Sequence, residues 1–254
     1  MCYDVQAKLK TQLKRAKANN DNESVVELTE KLERFLNKPL FHASAFDHPE
    51  LLIYTNKSQY LPVAAHWGLI PSWTKSRNDA KEIWNKTLIA RSESIFEKPA
   101  FKESAESKRC IVPVDGFFEH HHFNGKTFPY FIQNENGEAM NLAGLYNEWT
   151  PPESDESVVT FSVITQKANE LMSTIHNNPK IPAPRMPFIL TDEETEIWLN
   201  ESGDGLLEEL MSKEPISELK AHTVQKLKGK IATGNVEAVT KEVYYPELET
   251  SLFD

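Results

Sequence analysis

The chain has 254 residues, 39% hydrophobic and 10% aromatic, enough to bury a core rather than remain disordered. Asp and Glu outnumber Lys and Arg by 38 to 28 for a net charge of -10, which excludes nucleic-acid binding through a global positive field but leaves room for a local basic groove. Its two cysteines, Cys2 and Cys110, exclude a disulfide framework and a Cys-rich zinc site. No apolar stretch is long enough for a membrane span, and the first thirty residues are too charged for a signal peptide. These features lead us to expect a protein of a reducing cytoplasm.

Val5, Leu9 and Leu13, spaced by four, predict a helix over residues 5–18. The polar stretch from Asn19 to Asn22 breaks it, and Ser24 with Glu27 forms a capping box. Val25, Leu28, Leu32 and Phe35 then line a second helix. The two make a charged helical hairpin over 5–36, read as a solvated support for the core. From residue 39 short apolar runs between Pro, Asn and Gly predict strands at Leu51–Thr55, Pro62–Leu69 and Cys110–Val114. Phe117–Phe123, Asn124-Gly125 and Thr127–Gln133 predict a hairpin with a type I′ turn. Asn141–Tyr146 and Val158–Thr165 continue the sheet, and helices are expected at Gln166–Thr174, Asp192–Asn200 and Leu206–Met211. The chain reads as one α+β domain, 1–254, with a mostly antiparallel, barrel-like core flanked by helices.

Five clusters carry chemistry. Cys2 becomes the N-terminus if the initiator Met is removed, which places an α-amine of pKa about 8 beside a thiol near 8.5. Such a pair condenses with an aldehyde to a Schiff base and then closes a thiazolidine ring. Trp67 and Trp73 flank a Gly-Pro turn and serve either as stacking platforms for bases or as core corners. Arg91, Lys98, Lys102, Lys108 and Arg109 can neutralise phosphates, yet the interleaved glutamates also fit a solvated helix face. Glu119 follows two phenylalanines, an environment that raises a carboxylate pKa and suits a general acid. The run His120-His121-His122 alternates faces and leads into the Asn-Gly turn, so it reads as an exposed hairpin end rather than a metal site. His176, between a helix and a strand, is an acid–base candidate or a solvated loop residue.

In order, Met1-Cys2, Trp67 to Trp73, Ala90 to Ser94, Arg109 to Glu119, Ile175-His176 with Arg185-Met186-Pro187, and Gly234-Asn235-Val236 resemble the motifs of the SRAP family, the SOS response-associated peptidases or abasic-site processing proteins. The resemblance runs from residue 2 to about 246, leaving out the helical hairpin. It implies a protein that removes its own Met1 and crosslinks through Cys2 to abasic sites in single-stranded DNA. By motif match Cys2 is the nucleophile, Glu119 the acid–base group and His176 its partner. Arg91 holds a phosphate and Trp67 and Trp73 shape the base-binding surface, with Asn85, Lys98 and Arg109 as further DNA contacts. No cofactor, metal or membrane is implied, and a monomer that joins the nucleoid on damage is expected. Ile89 stands where the family has Asn, and Asp4 where it commonly has Arg, so DNA binding is expected to be weaker or more salt-sensitive, with Asn85 a possible substitute. The loop between His176 and Arg185 is longer than usual. The alternatives are an N-terminal-cysteine protease or amidase, and a non-catalytic DNA-binding relative.

Overall fold

The computed structural model describes residues 3–19, 39–200 and 204–252. Thirteen strands among these residues form two sheets. In chain order the strands that matter most are β1 (Asp4–Gln6), β2 (Ala43–Ser44), β3 (Glu50–Thr55), β4 (Ser58–Trp67) and β5 (Ile89–Arg91). They continue with β6 (Arg109–Val114), β7 (Gly116–Phe123), β8 (Lys126–Asn134), β9 (Met140–Trp149) and β10 (Val158–Lys167). Short strands β11 (Arg185–Pro187), β12 (Ile189–Leu190) and β13 (Leu219–Thr223) complete the set. The helices are α1 (Leu9–Gln12), α2 (Lys14–Asn19), α3 (Arg77–Trp84), α4 (Lys102–Ser107), α5 (Glu170–Ile175), α6 (Asp192–Asn200) and α7 (Asp204–Ser212).

The larger sheet closes on itself. β10 pairs with β4, β4 with β3, β3 with β6, β6 with β9, and β9 again with β10, so five strands form a ring. All these pairings are antiparallel except the parallel β10–β4 contact, and β5 adds to β10 in parallel as well. Strand alternation fills the ring: Leu51, Ile53, Ala65, Trp67, Cys110, Val112, Phe161 and Val163 sit in one buried cluster. The intervening positions Tyr54, Ile111, Ala143, Leu145 and Ile164 pack in a second cluster with Ala105 of α4, Trp198 of α6 and Leu207 of α7. One sequence therefore carries two apolar faces, an inner one for the barrel and an outer one for its helices.

The second sheet runs β13-β8-β7-β1-β2. Its centre is the expected β7–β8 hairpin, with Asn124 and Gly125 both at positive φ, 47° and 71°, as a type I′ turn demands. β1 pairs with β7 only from Gly116 to Phe118, so beyond Glu119 that side of β7 carries no β1 partner.

The N-terminal expectation changes. Val5 is a strand residue, fully buried between Ala43 and Phe117, because β1 is held by pairing to strands distant in sequence. The helix is confined to 9–12 and 14–19, and it is docked rather than solvated. Gln12 is buried and accepts from Leu52 N–H at 2.6 Å, while Thr11 donates to Asp115 at 2.7 Å. The second helix of the expected hairpin lies outside the described residues. Among the described residues no helix is long and apolar enough to cross a membrane.

Candidate active-site cleft

Glu119 sits on β7 at the point where β1 stops pairing and is buried. One of its carboxylate oxygens accepts from the His120 N–H at 3.0 Å. His176 is the residue immediately after α5 and is buried, 2% exposed. The two line one cleft of about 260 Å³, together with Tyr3, Asp4, Phe46, His120, His122, Asn178, Ile181 and Lys228. Cys2 lies outside the described residues, but its neighbour Tyr3 is part of that wall.

Two contacts hold the His176 loop against β7. The Asn177 side chain accepts from His122 N–H at 2.7 Å and donates to His122 O at 2.9 Å, completing the strand edge as a peptide would. One turn earlier, His121 Nδ1 lies 3.0 Å from Thr174 O at the end of α5. The His176 ring is fixed from its other side. Arg185 N–H donates to Nδ1 at 3.0 Å and Arg185 O lies 2.9 Å from the same nitrogen. The neutral ring can accept from the amide and the protonated ring can donate to the carbonyl, so the ring keeps a partner in either state. Burial pushes the His176 pKa below the ordinary histidine value, against the pull of the Glu119 charge. The ring is therefore held largely in its basic form at neutral pH.

The Arg-Met-Pro motif owes its position to a clamp between buried Arg185 and exposed Glu93. Arg185 makes two parallel bonds of 2.8 Å to Glu93 and donates to Thr165 O at 2.7 Å. This ties β11 to β10 and to the turn after β5. The Gly-Asn-Val motif is structural too: Asn235 accepts from Phe41 N–H and His42 N–H at 2.8 and 3.0 Å and donates to Pro39 O at 2.8 Å. It thus fixes the segment entering β2, the strand against which β1 is laid.

Asp4 is buried and takes part in a charged group rather than leaving a gap. His42 Nε2 is 3.0 Å from one carboxylate oxygen and Lys228 Nζ 3.9 Å from the other. Burial works against the Asp4 carboxylate, but His42 and Lys228 outweigh it and hold the pKa below the usual value. His120 and His122 are also cleft residues, which corrects the reading of this run as an exposed hairpin end. Burial, as the largest cause, lowers both of their pKa values. Sequence reasoning read Asp4 only as a lost DNA contact, and it missed His42, Asn177 and Lys228 as parts of the site. Only the spacing of Asn177 behind His176 offered a local signal.

Two expected DNA contacts are overturned as direct contacts. Trp67 is fully buried, donates its indole N–H to Leu88 O at 2.7 Å, and stacks on Phe161 inside the barrel. Arg109 is 3% exposed, and its guanidinium donates to Trp198 O, Ala105 O and Glu106 O at 2.8 to 3.1 Å, capping α4. Backbone carbonyls, not phosphates, consume its donors. Trp73 is 52% exposed and hydrogen-bonded only loosely to Pro99 O at 3.3 Å. Arg91, Asn85 and Lys98 are exposed, and Arg91 lines a small hollow with Ile181, Pro182 and Arg185. Ile181 is shared with the cleft, so Arg91 lies beside its rim. Ile89 is half-buried on β5 opposite Val163. Cys110 is buried within the barrel, where burial pushes its thiol pKa well up and leaves it inert. A larger hollow, about 440 Å³ between α2 and α6, contains none of the residues singled out in the sequence.

A closed barrel with a side sheet, carrying a carboxylate and a basic imidazole beside its own N-terminal strand, defines a protein with an acid–base cleft at the chain's beginning. The chain belongs to the SRAP family, described as SOS response associated peptidase, whose model it matches over residues 4–231. It is 35% identical over 202 residues to the abasic site processing protein YoqW of Bacillus subtilis, covering 77% of this chain and 85% of that one. It is 33% identical over 165 residues to the abasic site processing protein HMCES of Gallus gallus, covering 57% of this chain and 47% of the relative. A crystal structure of a protein from Bacteroides thetaiotaomicron superposes with a TM-score of 0.80 at 31% identity, covering 96% of this chain and all of that one.

Proposed function

We propose that this protein processes abasic sites in single-stranded DNA by capturing their open-chain aldehyde covalently at Cys2, after removing its own Met1. The observation that carries the reading is that Glu119 and His176 line the same cleft as Tyr3. Neighbouring Cα atoms are about 3.8 Å apart, and Tyr3, the residue that follows Cys2 in sequence, is part of that cleft wall. The names of the relatives, abasic site processing proteins, support the substrate.

The chemistry runs in three steps. Glu119 directs a water onto the Met1–Cys2 peptide bond, releasing methionine and a free α-amine. That amine adds to the aldehyde carbon, and Glu119 protonates the departing hydroxyl, so one water leaves and an imine forms. The Cys2 sulfur, its proton accepted by neutral His176, then adds to the imine carbon while the nitrogen takes up a proton, closing the thiazolidine. Arg91 beside the rim receives a phosphate, and exposed Trp73, Asn85 and Lys98 extend the DNA path. Asp4, 3.0 Å from His42 and 3.9 Å from Lys228, places a carboxylate where a phosphate contact is missing, so binding should be weaker and its salt slope shallower by about the share of one phosphate.

Intact mass after incubation with a single-stranded oligonucleotide carrying one abasic site tests this directly. The expected product is protein minus Met1, plus DNA, minus one water, and it is lost in Cys2→Ala. Free protein lacking Met1 overturns the capture step, and free protein retaining Met1 overturns the self-processing step.

A further inference from the structure

We infer that Phe46 is a stacking platform for the base next to the abasic nucleotide, with Lys228 as the partner of the phosphate between them. The inference rests on the proposed function and adds to it a contact that lies on neither the Trp67–Trp73 segment nor the basic run.

Phe46 belongs to a short 3-10 turn, Ala45–Asp47, that follows β2 directly. Its ring is 49% exposed, although it lines the cleft that holds Glu119 and His176. An apolar ring left half in water at the mouth of a polar cleft has gained little from folding. The turn that carries it is nonetheless firmly held. Ala45 N–H donates to Tyr3 O at 2.6 Å, and His48 N–H closes the turn on Ala45 O at 3.1 Å. The Tyr3 ring supports Phe46 from one side, with centroids 4.8 Å apart and planes tilted by 47°. One face is thereby braced and the ring presents a fixed surface to the cleft.

Lys228 supplies the second half. Its ammonium lies 5.4 Å from the Phe46 centroid and 3.9 Å from Asp4 Oδ2, with the side chain 60% exposed. A cation over an aromatic ring and a neighbouring carboxylate is held near the cleft while remaining open to solvent. An aromatic face with an adjacent cation matches a flat base joined to a phosphate, the repeating unit of single-stranded nucleic acid. A nucleotide lacking its base has nothing of its own to stack. The cleft must therefore take its grip from the neighbouring nucleotide, and Phe46 is the exposed aromatic ring that lines it.

The test uses full-length protein and oligonucleotides carrying a tetrahydrofuran abasic analogue, which binds without forming a crosslink. Phe46→Ala should lower affinity between about fivefold and about a hundredfold, and Phe46→Trp should restore it. On an oligonucleotide whose two flanking positions also lack bases, wild type and Phe46→Ala should bind alike. Lys228→Met should reduce the slope of log affinity against log salt by about 0.7. Equal affinity of wild type and Phe46→Ala overturns the stacking role, as does a loss that persists when the flanking bases are absent. If wild type crosslinks to natural abasic DNA while Phe46→Ala binds equally well, this inference fails alone. If wild type neither binds nor crosslinks, the proposed function fails with it.

Discussion

The side chain of Asn177 completes the open edge of β7 at His122, accepting from its N–H at 2.7 Å and donating to its carbonyl at 2.9 Å. His176 is the adjacent residue, so this pair of bonds holds its loop against β7, the strand that carries Glu119. Asn177→Ala removes both bonds while retaining the Glu119 and His176 side chains themselves. We expect a loss of about 1–2 kcal/mol of stability and a crosslinking rate at least about tenfold lower, since small misplacements are costly to catalysis. Thermal melts alongside single-turnover crosslinking check this. An unchanged rate in a destabilised protein would mean the loop is positioned by other contacts.

The histidines of the cleft set a pH dependence. His176, His120 and His122 all have folded pKa values below the ordinary 6.5, with burial as the first cause. Below pH 6.5 the unfolded chain therefore binds more protons than the native one, and stability falls as pH drops. The depressed carboxylates Asp4 and Glu93 act in a lower window, below their ordinary values of 3.8 and 4.5. Denaturant melts between pH 7 and pH 5 should show declining stability, with a shallower decline in His176→Gln. The crosslinking rate should fall as the Cys2 α-amine, with an ordinary pKa of about 8, takes up a proton, and the further loss from protonating His176, whose neutral form is the one proposed to work, should come only below pH 6.5. A rate that rose on acidification would contradict that assignment.

The two tryptophans of one motif should behave oppositely. Trp67→Ala opens a cavity inside the barrel and leaves Leu88 O only its 3.3 Å bond from Val163 N–H, so a loss of about 3–5 kcal/mol is expected. Trp73→Ala touches an exposed ring and should shift stability by under about 0.5 kcal/mol while weakening oligonucleotide binding. Chemical denaturation and fluorescence anisotropy on the same two proteins separate the cases.

Gly68 is required by geometry. Its φ is 116°, and a Cβ there would overlap the Trp84 indole, which stacks on His48 at 4.0 Å between ring centroids. Gly68→Ala should cost about 2 kcal/mol or more and change the Trp84 emission. A native-like melt with native emission would show that the indole can yield.

Legibility followed the range of the interaction involved. The β7–β8 hairpin was readable because Asn124-Gly125 is a local turn signal, and the strands of the barrel were readable from their apolar runs. β1 was not, because Val5 falls four residues before Leu9 and mimics a helix face, whereas its strand state comes from Ala43 and Phe117 far along the chain. Trp67 could have been recognised as core from its alternation with Ala65, two residues earlier on β4. Arg109 could not, since only the folded chain brings Trp198 O to its guanidinium. Glu119 and His176 stood out through the family motifs, not through any local periodicity. The Asp4–His42–Lys228 group joins three distant segments and left no local trace.

The Asn235 clamp sets an order on biosynthesis. The strand that leads to Cys2 is among the first parts of the chain to be made, yet the segment it rests on is fastened by a residue 193 positions after His42. At typical elongation speeds that separation amounts to roughly 10 to 40 s. Throughout this interval β1 lacks its finished support, and an early strand waits for a late residue. A nascent chain stopped short of Gly234 would carry Glu119 and His176 without the clamp on the segment that leads into β2, the partner of β1. The seat of β1 is thus complete only once Asn235 has been made, a delay that would keep the proposed Cys2 nucleophile idle on shorter nascent chains.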